Sequence, residues 1–476
     1  MKPGTREGMW GLGAIVVGLV LGVLAFVGPT AALVLLGGSI AFGVMVRYPA
    51  TIVPFVFLGI AFANSGVLSV KIGIIFTTAK LTMIGGLVAW FVHAVVTRKR
   101  IVQLGGVGFP LALALASMLM AFSWARNPGL GTVQEMLGFG GLIVMVLFID
   151  TIMRPEHLNP IHRFFAVFML LVLLYDMLLG GSDSAVIGPH RSTGVFDDPN
   201  FWCAFLLTVI PPILVSLDLD DSWWSKALML ALLGLTPMSV IMSLSRGGFI
   251  TMVLVAPFVI YVLRRRWPIL LGAAVGGVLV ALVLLDTSVV FDRYITMVDA
   301  GTSEMDGSIR DRTLSQLVAW DLFVSSPFFG WGTGSFSHET MVRSNGSVDI
   351  EAHNTYVRVL AEQGIIGAVT NLSVLGYTSF MLYRSFRDAP TQALKRWTVA
   401  LAGSFVVFLL SAGLLNMIAF GMSFFYLGII AAVSRFTRLP VAQLEAAGLG
   451  DNRKSQGQEP SEPSAINKVD SVRSAS

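Results

Sequence analysis

The chain has 476 residues, of which 55% are hydrophobic and only 13% are charged, and its mean hydropathy is +0.77. Soluble domains contain roughly 45–50% apolar and about 25% charged residues, so this composition excludes an ordinary water-soluble protein. The formal net charge of +4 does not indicate nucleic-acid binding, because the basic residues lie mainly in short loops beside apolar runs, where they determine membrane topology.

Long apolar runs recur along the chain and predict membrane-spanning helices. Runs of about 17 to 25 residues can cross a hydrocarbon layer about 30 Å thick. They are continuously apolar rather than alternating, so helices rather than a sheet barrel must satisfy the backbone in lipid. The predicted spans are residues 10–28, 30–46, 49–63, 72–96, 105–123, 132–150, 161–181, 198–217, 226–244, 247–263, 267–286, 363–383, 397–415 and 417–433. We predict an all-α polytopic membrane protein with about 12 to 14 membrane-spanning helices. The number of spans within residues 1–75 is left open.

Basic residues predict the orientation of these spans, because loops rich in Lys and Arg remain cytoplasmic. If the spans alternate, clusters such as Arg98–Arg100 and Arg264–Arg266 fall on one side, and both termini lie in the cytoplasm. The acidic loop Asp218–Asp221 falls on the same side, which is tolerable because acidic residues contribute little to orientation. The expected domains are an N-terminal bundle (1–189), a segment with outward arginine motifs (190–286), a periplasmic loop (287–356), C-terminal spans (357–433) and a polar, disordered cytoplasmic tail (434–476).

Two arginines occupy outward positions at the ends of predicted spans. Arg191 follows His190 shortly before a span, and Arg246 lies in Ser245-Arg246-Gly247-Gly248, wedged between two spans. A single arginine at a helix end usually only snorkels to the membrane surface. Because guanidinium groups bind phosphate oxygens in a bidentate manner, two converging arginines would instead suit a lipid-linked diphosphate.

The long outer loop contains a predicted amphipathic helix and a predicted tight turn. Residues 309–324 have Leu314, Leu317, Val318, Asp321 and Leu322 spaced by three and four, with Arg310 and Arg312 near the start. Residues 326–334 contain proline, interleaved aromatics and the glycines Gly330, Gly332 and Gly334, which indicates an ordered turn rather than a flexible linker. A purely structural cap over the bundle is the alternative interpretation.

His353 is the best candidate for a general base in the chain. It lies at the expected outer mouth of the bundle between Glu351 and Asn354, and an imidazole is the usual side chain for taking a proton from a hydroxyl. Glu362 follows nine residues later, too far along one helix to touch His353, so it is interpreted as a packing or polar-network residue. His190 and His338 are weaker alternatives to His353.

The remaining polar residues indicate neither a metal nor a cofactor. Cys203 is the single cysteine, and the six histidines have no two-histidine metal spacing. Lys80 lies within a predicted span, where it is either a functional charge or a helix-boundary residue.

These motifs together resemble the O-antigen ligase and polymerase family of bacterial cell-surface polysaccharide assembly. The resemblance covers roughly residues 190–430. It rests on Arg191 with Gly194 and Pro199-Asn200, on Ser245-Arg246-Gly247, on Arg312 upstream of Pro327 and Gly330–Gly334, and on Ala352-His353-Asn354 with Leu360, Glu362 and Gly364.

The resemblance implies a metal-independent glycosyltransferase of the GT-C type in the bacterial inner membrane, with a periplasmic active site. The implied donor is a glycan on undecaprenyl diphosphate, and the acceptor is a lipid, a glycan or a protein. His353 would deprotonate the acceptor hydroxyl for an inverting transfer, while Arg191, Arg246 and Arg312 would hold the diphosphate. The family's expected aromatic four residues after the helix arginine is Gln316 here, with Trp320 one turn later, which leaves Arg310 as an alternative to Arg312.

Two other classes of function remain open at the level of the sequence. A transporter of polysaccharide or lipid carrier would also be polytopic and carry arginines, but its polar residues are expected near the bilayer midplane. A non-catalytic envelope scaffold would leave His353 and the arginines dispensable. The outward position of the polar motifs favours an enzyme.

Overall fold

The structure of the protein is a computed structural model that describes residues 29–61, 78–97, 106–125, 130–179, 192–196, 198–264, 266–284, 307–343, 352–417 and 421–450. The predicted span 10–28 and residues 451–476 of the predicted disordered tail (434–476) lie outside the described residues. Residues 434–450 of that tail are described, and they include the helix Val441–Ala446 with Leu444 and Leu449 buried. Within the described ranges, every regular element is a helix.

In the described residues, ten helices form the first part of the fold and six follow. The first ten are α1 (Pro29–Arg47), α2 (Ile52–Ala61, after a 3-10 turn at Pro49–Thr51), α3 (Thr78–Thr97), α4 (Gly108–Phe122), α5 (Leu130–Ile152), α6 (Pro155–Leu179), α7 (Pro199–Asp218), α8 (Trp223–Met242), α9 (Arg246–Val262) and α10 (Trp267–Leu284). The others are α11 (Gly307–Ser325), α12 (Ser335–Arg343), α13 (Thr355–Asp388), α14 (Gln392–Ala412), α15 (Gly421–Phe436) and α16 (Val441–Ala446).

Length and composition of these helices confirm the predicted fold class. In the described part of the chain, seven helices are long and apolar enough to cross a membrane, and five shorter apolar helices accompany them. The seven are α3, α5, α6, α7, α8, α13 and α14. The protein is therefore an all-α, multi-pass membrane protein.

Helix α7 forms the centre of the bundle. Inside the protein, 89% of its membrane-spanning part is buried. The helix packs against α6, α8, α9 and α14. Its start is fixed locally, because the Asp198 side chain accepts hydrogen bonds from the backbone of Asn200 at 2.7 Å and of Phe201 at 3.0 Å, with Pro199 as the first helical residue. The helix therefore presents its N-terminus at a defined position at one end of the bundle.

The acidic loop after α7 lies among basic side chains at the opposite end of the bundle. Asp218 pairs with Arg396 and, at 2.8 Å, with Arg266, while Asp220 lies 3.2 Å from Arg163. These arginines belong to three different loops or helix ends that the charge pattern assigns to one side. The acidic residues of this loop, which the charge pattern alone would not place on a basic side, thus form ion pairs with the basic residues at this end.

Helix α13 begins earlier than the predicted span 363–383 and contains a break. Gly364 has φ +64 and ψ −158, and the N–H groups of Ile365 and Ile366 donate to the carbonyls of Pro327 and Phe328 instead of to their own helix. The break separates a short helix, residues 355–363, from a long one, residues 365–388. Hydropathy predicts the long helix because that helix is apolar. The short helix carries polar residues, so hydropathy did not predict it.

Helix α11 lies where the sequence predicts it, but the prediction of which side of the helix is buried was wrong. Its buried residues are Ser315, Ala319 and Leu322, whereas Leu314 and Leu317 are exposed. Small residues face the protein because α13 and α12 approach closely there, and this leaves large apolar side chains on the outer side.

Candidate functional site

Three helix N-termini carry the motifs that the sequence identifies. Asn200 lies in the first turn of α7, Ser245 caps α9 through a 3.0 Å bond from Gly248 N, and Asn354 caps α13 through bonds from the backbone of the first turn. Helix N-termini present unsatisfied N–H groups and a partial positive charge, which favours anions. The motif residues are therefore set at the ends of helices that suit anion binding.

Two residues beside these caps have unusual backbone conformations. Among the described non-glycine residues, only Leu244 (φ +53) and His353 (φ +42) have positive φ. Each immediately precedes a capping residue, so the chain turns sharply into the helix. Such conformations are unfavourable by about 1–3 kcal/mol and tend to occur at functional sites.

The N-termini of α7 and α9 meet at a small cavity that Arg312 also lines. The cavity has a volume of about 20 Å³. Ser245 Oγ donates to Asn200 Oδ1 at 2.7 Å and so joins the starts of α7 and α9. The remaining lining residues are Ala204, Gly247, Gly248, Thr251, Ser411, Leu414 and Leu415. The structure thus brings together the Pro-Asn, Ser-Arg-Gly and Arg312 motifs, which are far apart in sequence.

Residues near His353 are bonded to two of the segments that contribute to this cavity, namely α11 and the turn after α14. Ser315 Oγ, one turn after Arg312, donates to the carbonyl of Ala352 at 3.4 Å. On the other side, Thr355 Oγ1 donates to Leu415 O at 2.9 Å and accepts from Met417 N at 2.7 Å. His353 is half-buried between these two attachments.

The other predicted site residues are distributed as follows. Arg246 is the first residue of α9, between the cavity residues Ser245 and Gly247. The backbone of Arg310 lies in the first turn of α11. Arg191 and Glu351 lie outside the described residues, as does the Arg310 side chain.

Glu362 belongs to a buried ionic network (Glu135, Arg358 and Glu362), of which the sequence analysis identified only Glu362. Arg358 donates to both carboxylate oxygens of Glu135, at 3.0 and 2.8 Å, and to Glu362 at 3.2 Å. Glu362 Oε1 also accepts from Phe336 N at 3.3 Å. The helix break lies after Glu362, so this residue lies about two turns into the helix that begins after His353. The network ties α5, α12 and the first turns of α13 together.

Residues 326–334 form an ordered glycine turn that packs on the same region. Its backbone donates from Trp331 N to Ala361 O at 2.9 Å and from Gly332 N to Glu362 O at 2.8 Å. Gly332 (φ +101) and Gly334 (φ +84) lie directly against Ala125 and Thr132, respectively. A side chain at either glycine would meet both steric overlap and an unfavourable backbone conformation.

Replacing Gly332 with alanine is therefore expected to destabilise the protein. The left-handed conformation alone disfavours alanine by about 1–2 kcal/mol, and a Cβ atom would overlap the Ala125 backbone. The thermal midpoint of the purified protein checks this expectation. Gly376→Ala is the matched control, since its Cβ would have nothing within 4 Å and it lies within α13. Equal midpoints for the two variants would contradict this role of the turn.

Asp176 is a further buried polar residue, beyond Glu135 and Arg358, that the sequence motifs did not predict. This buried side chain in α6 accepts from Gly194 N at 2.9 Å and from Ser192 Oγ. Ser192 N in turn donates to Met242 O at 3.0 Å. The stretch that directly follows Arg191 is thereby fixed against α6 and α8. The signal was a single acidic residue in an otherwise apolar run, which is uncommon inside a membrane span.

A larger apolar cavity begins beside the candidate site. It has a volume of about 240 Å³ and extends from Thr355 and Tyr356, next to His353, to Thr378 on α13. Helices α4, α5, α7, α13, α14 and α15 contribute its lining, which is mostly Leu, Val, Ile and Phe. One of its lining residues, Leu372, lies on the exposed face of α13. The cavity therefore offers apolar volume within the bundle directly below a polar site.

Comparison with known proteins agrees with this combination of motifs. Residues 228–372 match the model of a family described as O-antigen ligase. Over this segment, which is less than a third of the chain, the protein is similar to the O-antigen ligase family. The match to this family includes Arg246, Arg312, the glycine turn and the stretch from His353 to Gly364, and it is narrower than the resemblance over residues 190–430.

Two curated relatives are similar over larger parts of the chain. An O-antigen polymerase of Salmonella muenchen is 22% identical over 52% of this chain and 59% of its own length. The teichuronic acid biosynthesis protein TuaE of Bacillus subtilis (strain 168) is 24% identical over 62% of this chain and 64% of its own length. The chain thus spans about three fifths of the length of the curated relatives that it matches.

Proposed function

We propose that the protein is a membrane glycosyltransferase of the O-antigen ligase type. It transfers a glycan from undecaprenyl diphosphate to an acceptor hydroxyl on the periplasmic face of the bacterial inner membrane. The observation that carries this proposal is the cavity lined by Asn200, Ser245 and Arg312, together with the bonds that attach Ala352 and Thr355, near His353, to α11 and to the turn after α14. In this proposal, the residues near the cavity bind the diphosphate and His353 is the proton acceptor.

The apolar cavity supports a donor with an isoprenoid chain. A lipid-linked diphosphate requires an apolar site for its chain immediately below a cationic site for its head group. The cavity of about 240 Å³ is lined by Thr355, two residues from His353, and by Leu372 on the exposed side of α13, where we propose that it opens to the lipid. In the proposed complex, the first isoprene units enter this opening while the diphosphate remains at the helix N-termini.

Each candidate residue has a defined role in the proposed reaction. His353 accepts the proton of the acceptor hydroxyl, whose oxygen then forms a bond to the anomeric carbon of the donor sugar. The bond from that carbon to the diphosphate breaks on the opposite face, so the configuration is inverted and undecaprenyl diphosphate leaves. Arg191, Arg246 and Arg312 stabilise the negative charge that develops on the leaving diphosphate. Arg310 remains an alternative to Arg312.

Replacing Arg246 or Arg312 with alanine is expected to weaken donor use by about 10- to 100-fold in kcat/KM. Hydrogen bonds to charged groups contribute about 1.5–3 kcal/mol, which corresponds to this range. Transfer from a lipid-linked donor in reconstituted membranes measures the effect, and lysine variants should recover part of it. Arg154→Ala is the control, because Arg154 is exposed near Glu156, 3.8 Å away, on the loop between α5 and α6. An equal loss in the Arg154 variant would contradict the assigned role.

A polymerase is the second candidate, favoured by the name of the Salmonella relative. The ligase and the polymerase share the donor and differ in the acceptor, which is a lipid or protein for one and a growing glycan for the other. Deletion of the gene distinguishes them. Loss of a ligase leaves complete chains on the lipid carrier, whereas loss of a polymerase leaves single repeat units. Unchanged surface glycan and carrier-bound intermediates after deletion would contradict both proposals.

A further inference from the structure

Helix α11 has a second apolar face that nothing in the described protein covers. The face opposite its buried side chains consists of Leu317, Trp320 and Val324, spaced by three and four residues and each more than half exposed. Phe328 and Phe329, in the turn that follows, are exposed as well. A helix end and a turn with five exposed large apolar side chains are unfavourable in water.

The lipid-facing surface of α13 shows where the membrane begins. From the start of α13, the first exposed residue is Ile365, and exposed apolar residues then continue through Val369 and Leu372 to Phe386. Residues 365–386 span about 32 Å at 1.5 Å per residue, close to the hydrocarbon thickness of about 30 Å. Ile365 therefore marks the edge of the hydrocarbon layer on the side of the candidate site.

The turn after α11 lies at this edge. Ile365 N donates to Pro327 O at 2.8 Å, and Ile366 N donates to Phe328 O at 3.4 Å. The ring of Phe329 also packs edge-on against Trp124, just after α4, with a centroid distance of 5.8 Å. Exposed aromatic side chains at such a level are typical of the membrane interface.

Both ends of α11 are attached to the end of the bundle. Its C-terminal end leads into the turn at Ile365, and its N-terminal part places Arg312 at the cavity between α7 and α9. Helix α11 is therefore attached to this end of the bundle at both of its own ends, and its apolar face leads through Phe328 to Ile365, where the exposed apolar surface of α13 begins. This continuity distinguishes a lipid surface from a protein partner as the occupant.

We propose that the face formed by Leu317, Trp320, Val324, Phe328 and Phe329 is embedded in the interfacial layer of the adjacent leaflet. The helix that carries Arg312 is thus held at the membrane surface by the lipid as well as by the bundle. Embedding places the guanidinium group near the depth of phospholipid head groups. The inference does not depend on the reaction that the protein performs.

Spin labels on single cysteines can measure the depth of this face in proteoliposomes. Cys203→Ser provides the background, because Cys203 is buried with Sγ 3.1 Å from Ser243 Oγ, a contact that serine can retain. Labels at Leu317→Cys and Val324→Cys are compared for collisions with oxygen, which concentrates in lipid, and with a water-soluble nickel chelate. Val369→Cys on α13 is the lipid control, and Ser337→Cys, exposed on α12, is the water control.

For each label, we compare the collision rate with oxygen to the collision rate with the nickel chelate. We expect this ratio to be higher for both test labels than for the Ser337 label and to approach that of the Val369 label. A ratio equal to that of Ser337 would show that the face lies in water and would overturn the inference. Protection from both reagents would also overturn it, because the face would then be covered by protein, either a second copy of the chain or another partner.

Discussion

Replacing His353 with alanine is expected to reduce glycan transfer by about 10²- to 10⁴-fold, the range for loss of a general base. The reason is that this side chain is the proposed proton acceptor and is held by its neighbours between α11 and the turn after α14. In cells, the variant should reproduce the surface-glycan defect of the deletion. The amount of lipid-linked glycan that accumulates measures the loss.

His338→Ala is the matched control for this experiment. His338 lies in α12, within the same outer region of the sequence, and was the alternative base among the described histidines. The variant should retain transfer activity. Normal surface glycan in a stably inserted His353→Ala variant would refute the catalytic role, and a selective loss in His338→Ala would transfer that role to His338.

Replacing Arg358 with methionine is expected to destabilise the protein by about 3–5 kcal/mol, because it leaves two buried carboxylates unpaired. Arg358 is 10% exposed at its side chain, and it binds Glu135 and Glu362, which are 18% and 2% exposed. Transfer activity should fall too, since the network holds the first turns of α13 below His353. The thermal midpoint in detergent and the activity of the folded fraction measure the two effects.

A triple variant separates charge pairing from packing at this network. Glu135→Gln, Arg358→Met and Glu362→Gln together remove all three charges, and a glutamine at 362 can still accept from Phe336 N. Replacing a complete buried ionic cluster with uncharged residues often changes the free energy of unfolding very little, whereas removing one charged partner lowers it strongly. The triple variant should therefore recover most of the stability. A triple variant as unstable as Arg358→Met would show that the shape of Arg358, and not its charge, is what matters.

The sequence predicts the helices well but does not predict which of them lies at the centre. Hydropathy marks an apolar run equally whether the run faces lipid or protein. Helices α5, α6 and α7 share a mean hydropathy of 1.9, yet their spanning windows are 56%, 50% and 89% buried. Only packing distinguishes α7, because lipid and protein interiors are comparably apolar.

In the candidate site, features that depend on neighbouring residues could be predicted, whereas contacts between distant residues could not. Caps such as Asn354 and turns such as Gly332–Gly334 depend on residues close in sequence, so their positions could be predicted. The pairing of Arg358 with Glu135 joins residues 223 positions apart. A single chain contains no signal that selects this partner. The isolated charges of Glu135 and Asp176 in apolar runs indicate only that each one has some polar partner.

Transfer by the purified protein in proteoliposomes tests the proposed function most directly. The donor is a polyprenyl-diphosphate-linked repeat unit, offered with either a lipid acceptor or a second lipid-linked repeat unit. We expect a new glycosidic product with one of these acceptors, and one molecule of free polyprenyl diphosphate for each bond formed, in the wild type but not in His353→Ala. An intact donor with both acceptors, or movement of the donor across the bilayer without bond formation, would contradict the assignment as a glycosyltransferase.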